Sequence, residues 1–308
     1  MTKPVELSII IVSFNTKKLL VNCINSIRKN VKNLEYEVIV IDNASTDGSV
    51  QAVINQQRQD PDIKLIGNRR NLGFGTANNQ GMKIAKGKYI LLLNSDTLIL
   101  DGVLGEMVTW MRKHPDVGIA SCALKNEDGS MQGTGGYFPT LIRVFSWMTI
   151  QDLPFVDKFI KPFHPMHAKS FQKGTKFFNS DKELDWLTGA FLLIRTEVID
   201  KIGYFDKDYF MYVEETDYCY RAKRVGWKIY YLPKWSIVHY GGLSGKREEV
   251  ILAEYKGIKT FYKKHYPSWQ FPILRLFLKI GALGRMILFG ILEGKYAIKT
   301  YVKAFQIA

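Results

Sequence analysis

Apolar positions fall in blocks along the first part of the chain, and each block ends in a polar cluster. Leu7 to Ser13 (LSIIIVS) is an unbroken, β-branched run, the pattern of a strand covered on both faces in a parallel sheet. Asn15 to Lys29 then puts Leu19, Leu20, Cys23, Ile24 and Ile27 on one side at helical spacing. Glu37 to Ile41 (EVIVI) predicts a second buried strand, Ile63 to Ile66 a short third and Tyr89 to Leu93 (YILLL) a fourth, with a helix over Asn71 to Ala85. Strands alternating with helices, with polar turns at the strand ends, predict a doubly wound α/β sheet. Ligands bind such sheets outside the carboxyl ends of the strands. Three polar clusters fall there: Ser13-Phe14-Asn15, Asp42-Asn43 and Asn94-Ser95-Asp96.

The second half is less regular. Residues 137–183 mix Pro, Phe, Lys and His without a period and read as a long insertion, a kind of segment that is usually functional or disordered. Trp186 to Arg195 (WLTGAFLLIR) predicts one strand containing a glycine, and Glu197 to Ile202 a short helix. Phe271 to Leu292 is mostly apolar, interrupted by Arg275, Lys279 and Arg285, which fall within about 120° of one another on a helical wheel. Three charges are too many for a spanning helix. The segment predicts either an amphipathic helix lying in a membrane interface or a helix packed on the main domain.

At 308 residues and 46% apolar, the chain can bury the core of one large α/β domain with an appendage. Its net charge of +14 is concentrated near one end: Arg221 to Ala308 carries 17 Lys or Arg against 4 Asp or Glu. That is either a solvated basic face or a surface for an anionic partner such as lipid headgroups, a diphosphate-linked substrate or nucleic acid. Cys23, Cys122 and Cys219 are odd in number, widely spaced and without a Cys-x-x-Cys pair. A disulfide framework or zinc site is not expected, and a reducing, cytoplasmic setting is. The opening MTKPVELSIIIVSFN has no long apolar signal region, so secretion is not expected either.

Several ordered motifs together resemble the family 2 inverting glycosyltransferases. They are IVSFN (Ile11 to Asn15), IVIDNASTDGS (Ile39 to Ser49), the long run from Asn68 to Thr97 ending in LLLNSDT, and Trp186 to Gly242 with its EETDYCYR segment. The run from Asn68 to Thr97 is similar to the rhamnosyltransferase-type branch that builds bacterial surface polysaccharides. The resemblance covers most of residues 5–245. It implies a GT-A fold, a Rossmann-like mixed sheet flanked by helices, over residues 1–245. Residues 137–183 would be an acceptor loop, and residues 246–308 a basic, amphipathic helical extension.

The resemblance also implies roles. Asn94-Ser95-Asp96 is similar to the family's Asp-x-Asp motif but carries Asn first. That leaves Asp96 as the main charged ligand for Mg²⁺ or Mn²⁺ bridging the donor diphosphate. His239 would complete the metal site as a neutral imidazole. Asp42 would accept the pyrimidine ring N–H of a dTDP- or UDP-sugar, a contact cytosine cannot make. Ser13, Asn15, Asn71, Asn78, Asn94 and Ser95 would line the nucleotide pocket, each with turn or cap duty as the alternative. Gly73 and Gly75 permit close backbone approach near the donor.

Glu214-Glu215-Thr216-Asp217 carries the catalytic candidates. Inversion needs one base on the face opposite the leaving diphosphate, and crowded carboxylates raise one another's pKa. The matching position is Glu215, one methylene longer than the family's usual Asp, which keeps Glu214 in play. Asp217 with Arg221 has helical pairing distance and also stands as an acceptor contact, as do Gly189 and Trp186, the latter by stacking on a sugar face or else as core packing.

The expected reaction moves rhamnose from dTDP-rhamnose onto a glycan or polyprenyl-diphosphate-linked acceptor, with UDP-hexoses and UDP-N-acetylhexosamines as alternative donors. The basic helical end would hold the enzyme at an anionic membrane surface, on its cytoplasmic face. A nucleotidyltransferase would need a glycine-rich loop after the first strand, and SFNTKK has no glycine. A non-catalytic anion or nucleic-acid binder suits the basic tail. It leaves Asp42, Asp96 and Glu215 at element ends unexplained, so nucleic acid is not an expected partner.

Overall fold

The LSIIIVS run forms the centre of the parallel half of a mixed sheet in the computed structural model, which describes residues 4–151, 156–163, 177–241 and 247–308. In chain order the first half runs β1 (Leu7–Ser13), α1 (Lys17–Asn30), β2 (Tyr36–Asp42), α2 (Ser49–Gln57), β3 (Ile63–Gly67), α3 (Phe74–Ile84), β4 (Tyr89–Asn94), β5 (Thr97–Leu98), α4 (Val103–Lys113) and β6 (Val117–Lys125). The second half adds β7 (Met131–Gln132), β8 (Gly135–Gly136), α5 (Leu141–Met148), α6 (Val156–Phe159), β9 (Lys182–Glu183), β10 (Trp186–Leu187), β11 (Phe191–Arg195) and α7 (Thr196–Ile202). It closes with α8 (Glu214–Arg224), β12 (Lys228–His239), α9 (Arg247–His265), α10 (Gln270–Glu293) and α11 (Lys295–Ile307).

The strand order is β3-β2-β1-β4-β11-β6-β12-β5. The first four are parallel, β11 is antiparallel to both β4 and β6, and β12 is parallel to β6. Alternate residues of β1 enter opposite layers. Ile9 and Ile11 join Leu20, Cys23, Ile24 and Ile27 of α1, while Ile10 faces Ala77 and Met82 of α3. Both faces are covered, which is why the strand carries no polar alternation. At Gly81 a β-carbon would stand 2.6 Å from Ile10 Cγ2, so the glycine sets how closely α3 rides on the sheet.

Residues 186–195 are not one strand. The chain breaks at Thr188 to Ala190: β10 pairs with β8 in a separate two-stranded ribbon, and β11 enters the main sheet beside β4. Gly189 makes the break possible, since a β-carbon there would stand 2.8 Å from the Phe74 ring. Helices were also expected slightly early. Asn15 is left-handed (φ 54°), so α1 begins at Lys17, and Asn71 to Gly73 form the turn before α3.

Within 137–183, the described part holds α5, α6, a single 3-10 turn at Phe177–Asn179 and β9. The remainder of that insertion lies outside the described residues. The three closing helices share one hydrophobic cluster with the sheet: Tyr255, Phe261, Leu274, Leu278, Ala282 and Tyr301 belong to the same core as Ile10 and Leu192. Among the described residues no helix is long and apolar enough to cross a membrane.

Candidate functional site

The carboxyl ends of β1, β2 and β4 open into a cleft made of two joined cavities, about 350 Å³ and 240 Å³. Phe74, Asn94, Asp96, Met211, Tyr212 and Val250 wall both. The larger adds Asn15, Thr16, Asn43, Asn71 and Ser95; the smaller adds Gly189, Glu214, Glu215 and His239. Nine of the residues predicted from sequence therefore meet in one place.

Turn chemistry shapes the larger cavity. Asn15 Oδ1 accepts the Thr46 N–H at 2.8 Å and its own N–H donates to Ser45 Oγ at 2.9 Å, an arrangement for which its left-handed backbone is suited. Thr16 Oγ1 bridges Ser13 Oγ at 3.0 Å and Ser95 Oγ at 2.9 Å, tying β1 to the end of β4. Asp42 is buried behind this wall. Its Oδ1 accepts the Ser45 N–H at 2.8 Å, while Oδ2 has no partner among the described residues. A buried carboxylate oxygen without a donor is costly and marks a place where a ligand N–H fits. Asn43 joins Asn71 Oδ1 and the Gly73 carbonyl at 3.2 Å each. Gly73 (φ 81°) would bring a β-carbon to 2.1 Å from the Phe210 carbonyl, the oxygen that accepts the Phe74 N–H.

At the junction of the cavities, Asp96 Oδ1 stands 3.4 Å from His239 Nε2. Gln132 orients the imidazole. Its Nε2 donates to the His239 carbonyl at 2.7 Å and to Asn126 Oδ1 at 2.6 Å, so its Oε1 faces His239 Nδ1 at 2.7 Å. Nδ1 then carries the proton, and the Nε2 lone pair points to Asp96 and Asn94. A carboxylate oxygen and an imidazole lone pair aimed at one spot are a donor set for a divalent cation. No group of three or more His, Cys, Asp or Glu with metal-binding placement occurs among the described residues.

The smaller cavity is built on backbone strain. Tyr212 and Val213 are both left-handed (φ 68° and 72°), a conformation that costs on the order of 1–3 kcal/mol per residue. Gly257 of α9 packs against this turn: a β-carbon there would lie 2.7 Å from Val213 Cγ2. The turn starts α8 and points Glu214 and Glu215 into the cleft. Burial, then the neighbouring Glu215 charge, holds Glu214 well above the usual carboxylate range. Burial pushes Glu215 up to about 7, against the pull of backbone N–H groups that include Gly189. Glu254 of α9 is also raised to about 7 by burial, with Arg285 pulling it down and Glu215 pushing it up.

Five predicted residues do not line the cleft: Ser13 and Asp42 stand behind its wall, and three others lie elsewhere. Trp186 is 3% exposed and packs beside the Phe163 ring, so its place is the core and not a sugar-stacking face. Asp217 is buried, ion-paired with Arg221 at 2.8 Å and hydrogen-bonded through Oδ1 to His265 Nε2 at 2.6 Å, which ties α8 to the end of α9. Asn78 donates back to the Phe74 carbonyl at 3.0 Å within α3. Conversely, Thr16, Gln132, Tyr212 and the α9 residues Glu249, Val250 and Ala253 were not singled out from sequence, and Asn43 only as part of a strand-end cluster. Thr16 adjoins the Ser13 to Asn15 cluster and was within reach. Gln132 and α9 carry no local signal, because chain reversal brings them to the site.

A family model described as Glycosyl transferase family 2 matches residues 8–203. The chain is 26% identical over 256 residues to the N-acetylglucosaminyl-diphospho-decaprenol L-rhamnosyltransferase of Mycobacterium tuberculosis, covering 79% of each chain. It is 25% identical over 175 residues to rhamnosyltransferase WbbL of Escherichia coli, covering 54% of this chain and 61% of the relative. Among solved structures, the mannosyltransferase PcManGT from Pyrobaculum calidifontis, in complex with GDP-Man and Mn²⁺, superposes with a TM-score of 0.57 at 16% identity over 100% of this chain and 81% of its own. The strand-end cleft and the family match over residues 8–203 agree: this chain belongs to glycosyl transferase family 2.

Proposed function

We propose that this glycosyltransferase moves rhamnose from dTDP-rhamnose, with inversion, onto a polyprenyl-diphosphate-linked glycan at the cytoplasmic face of a membrane. The observation that carries the reading is one cavity lined at once by Asp96, His239, Glu214 and Glu215. Both rhamnosyltransferase relatives support the sugar, and the printed name of the mycobacterial relative supports a lipid-diphosphate acceptor.

Thymine N–H would meet Asp42 Oδ2, reached by opening of the Asn43 to Ser45 turn. Asn15, Thr16, Asn43 and Asn71 hold the nucleoside, and Phe74 separates nucleotide from acceptor space. Asp96 and His239 would hold Mg²⁺ or Mn²⁺, which supplies charge neutralisation to the departing diphosphate. Glu215 takes the acceptor hydroxyl proton as that oxygen bonds to the anomeric carbon. The bond from that carbon to the diphosphate oxygen breaks on the opposite face, and dTDP leaves with the electron pair. A carboxyl with a pKa of about 7 is half ionised near neutrality and basic enough to accept that proton.

The test is thermal stabilisation and slow nucleoside-diphosphate release with dTDP-rhamnose, UDP-galactose, UDP-glucose and UDP-N-acetylglucosamine, with and without Mg²⁺ or Mn²⁺. Stabilisation by dTDP-rhamnose that needs metal and disappears in Asp96→Ala is the expected result. Preference for a UDP-sugar overturns the rhamnose assignment. No response to any donor with either metal overturns the diphosphate site.

A further inference from the structure

The two closing helices present an apolar face that no described part of the chain covers. Along α10, Leu276, Ile280, Leu283, Ile287 and Ile291 recur every three or four residues and are all exposed, from 44% at Ile280 to 80% at Ile291. The opposite side of the same helix, Leu274, Leu278, Gly281 and Ala282, is buried against the domain. Of the two alternatives read from sequence, a helix lying in a membrane interface or one packed on the domain, the structure shows the packing, and it leaves the apolar side bare. Arg285 serves the packed side: its guanidinium donates to the Trp147 carbonyl at 2.8 Å.

α11 extends the face. Gly290 lets Ile298 lie against α10, where a β-carbon would stand 2.8 Å from Ile298 Cγ1, and Lys279 Nζ sits 5.3 Å from the Phe305 ring centre. Ile298, Val302 and Phe305 are exposed at helical spacing beside this seam. Lys295, Lys299 and Lys303 follow the same spacing one position over, so a row of ammonium groups borders an apolar band, with Lys303 paired to Glu248 at 2.5 Å. Soluble chains rarely expose a continuous apolar face of this kind unless it has a partner.

We infer that this face docks the protein onto an anionic phospholipid bilayer, with α10 and α11 lying in the interface. Charge decides between occupants. Residues 266–308 carry six basic side chains and one acidic one, Glu293. A second copy would bring the same lysines, and the neighbouring carboxylates Glu248 and Glu293 are already paired with Lys303 and Arg247, whereas lipid phosphates supply the missing charge at the rim. The apolar stripe enters the acyl boundary and the lysines stay with the headgroups. The face is also well placed. α10 packs on α9, whose Glu249, Val250 and Ala253 line the cleft, so the cleft lies about one helix diameter, roughly 10 Å, from the docked surface.

This goes beyond the donor and acceptor reading, and its test reads binding, not turnover. The full chain is mixed with phosphatidylglycerol–phosphatidylcholine vesicles and with phosphatidylcholine vesicles, then floated. The comparison is Ile280→Glu combined with Ile287→Glu, two exposed positions away from the cleft, checked for native circular dichroism and for mass by light scattering. The expected result is flotation of the wild type with anionic vesicles, weaker flotation with neutral ones, and a loss of about tenfold or more in the double variant. A milder pair, Lys295→Gln with Lys299→Gln, keeps the proposal testable if the first variant misfolds and should weaken only the anionic component. Absence of binding by the wild type, binding indifferent to both pairs, or a wild-type dimer that the Glu variant turns into monomer would each overturn it.

Discussion

Glu214 and Glu215 sit side by side in a space with little solvent, and the cost of ionising them there does chemical work. Glu215→Gln should lower kcat by about 100-fold or more with donor affinity unchanged, and the wild-type kcat should rise with pH through about 7. Stability runs the other way. Both carboxyls have folded values above their unfolded ones, so the folded state favours the protonated form. Stability then falls as pH rises from the unfolded value of 4.5 through the folded value of about 7. Glu215→Gln is therefore expected to raise Tm at about pH 8 and to leave it nearly unchanged at about pH 4, which a pair of thermal melts checks. Gln132 acts one step back. Gln132→Ala removes the acceptor that fixes the His239 tautomer. The metal concentration needed for half-maximal activity should then rise roughly 10-fold or more, with little change in kcat at saturation. Neither Gln132 nor the burial of the Glu pair is visible in residue order, because both depend on which distant segments cover them.

Elements are joined at this site by glycines that let backbones touch. Gly73 combines a left-handed backbone with contact to the Phe210 carbonyl. Gly73→Ala faces both penalties, so it should destabilise by about 2 kcal/mol or more and weaken donor protection in thermal shift, since Asn71 and Phe74 flank it. Gly189 plays the matching part opposite, by admitting the Phe74 ring. The parallel strands β1, β2 and β4 were readable as runs because two covered faces demand apolar residues throughout. The split of residues 186–195 was not readable. The sequence stays apolar across the break, and the change of partner from β8 to β4 leaves no mark on hydrophobicity.

On the scale of the whole molecule, the closing helices are part of the enzyme's frame as well as its edge. α9 walls the cleft and touches the strained Tyr212–Val213 turn through Gly257, and α10 and α5 pack together through Gly281 and Met148. Removing residues 266–308 should therefore lower Tm and abolish transfer, not merely release the protein from vesicles. A soluble, fully active truncation measured by melting and donor turnover would contradict this. Substitution on the exposed face of α10 separates docking from folding where deletion cannot.

Local order was enough to announce the α/β alternation, the strand-end clusters and the acidic helix start, since burial on both faces of a strand and a polar turn after it are imposed by backbone hydrogen bonding. Family motifs added Asp96, His239 and Glu215 as a set, and the fold brings those three to one cavity. Trp186, Asp217 and Asn78 lie elsewhere because aromatic burial, an ion pair with Arg221 and a hydrogen bond to a helix carbonyl hold them outside the cleft. The α9 wall, the Gln132 anchor and the bare face of α10 exist only once chain segments far apart in sequence have packed. Packing chooses which side of a largely apolar helix is covered, and residue order alone does not.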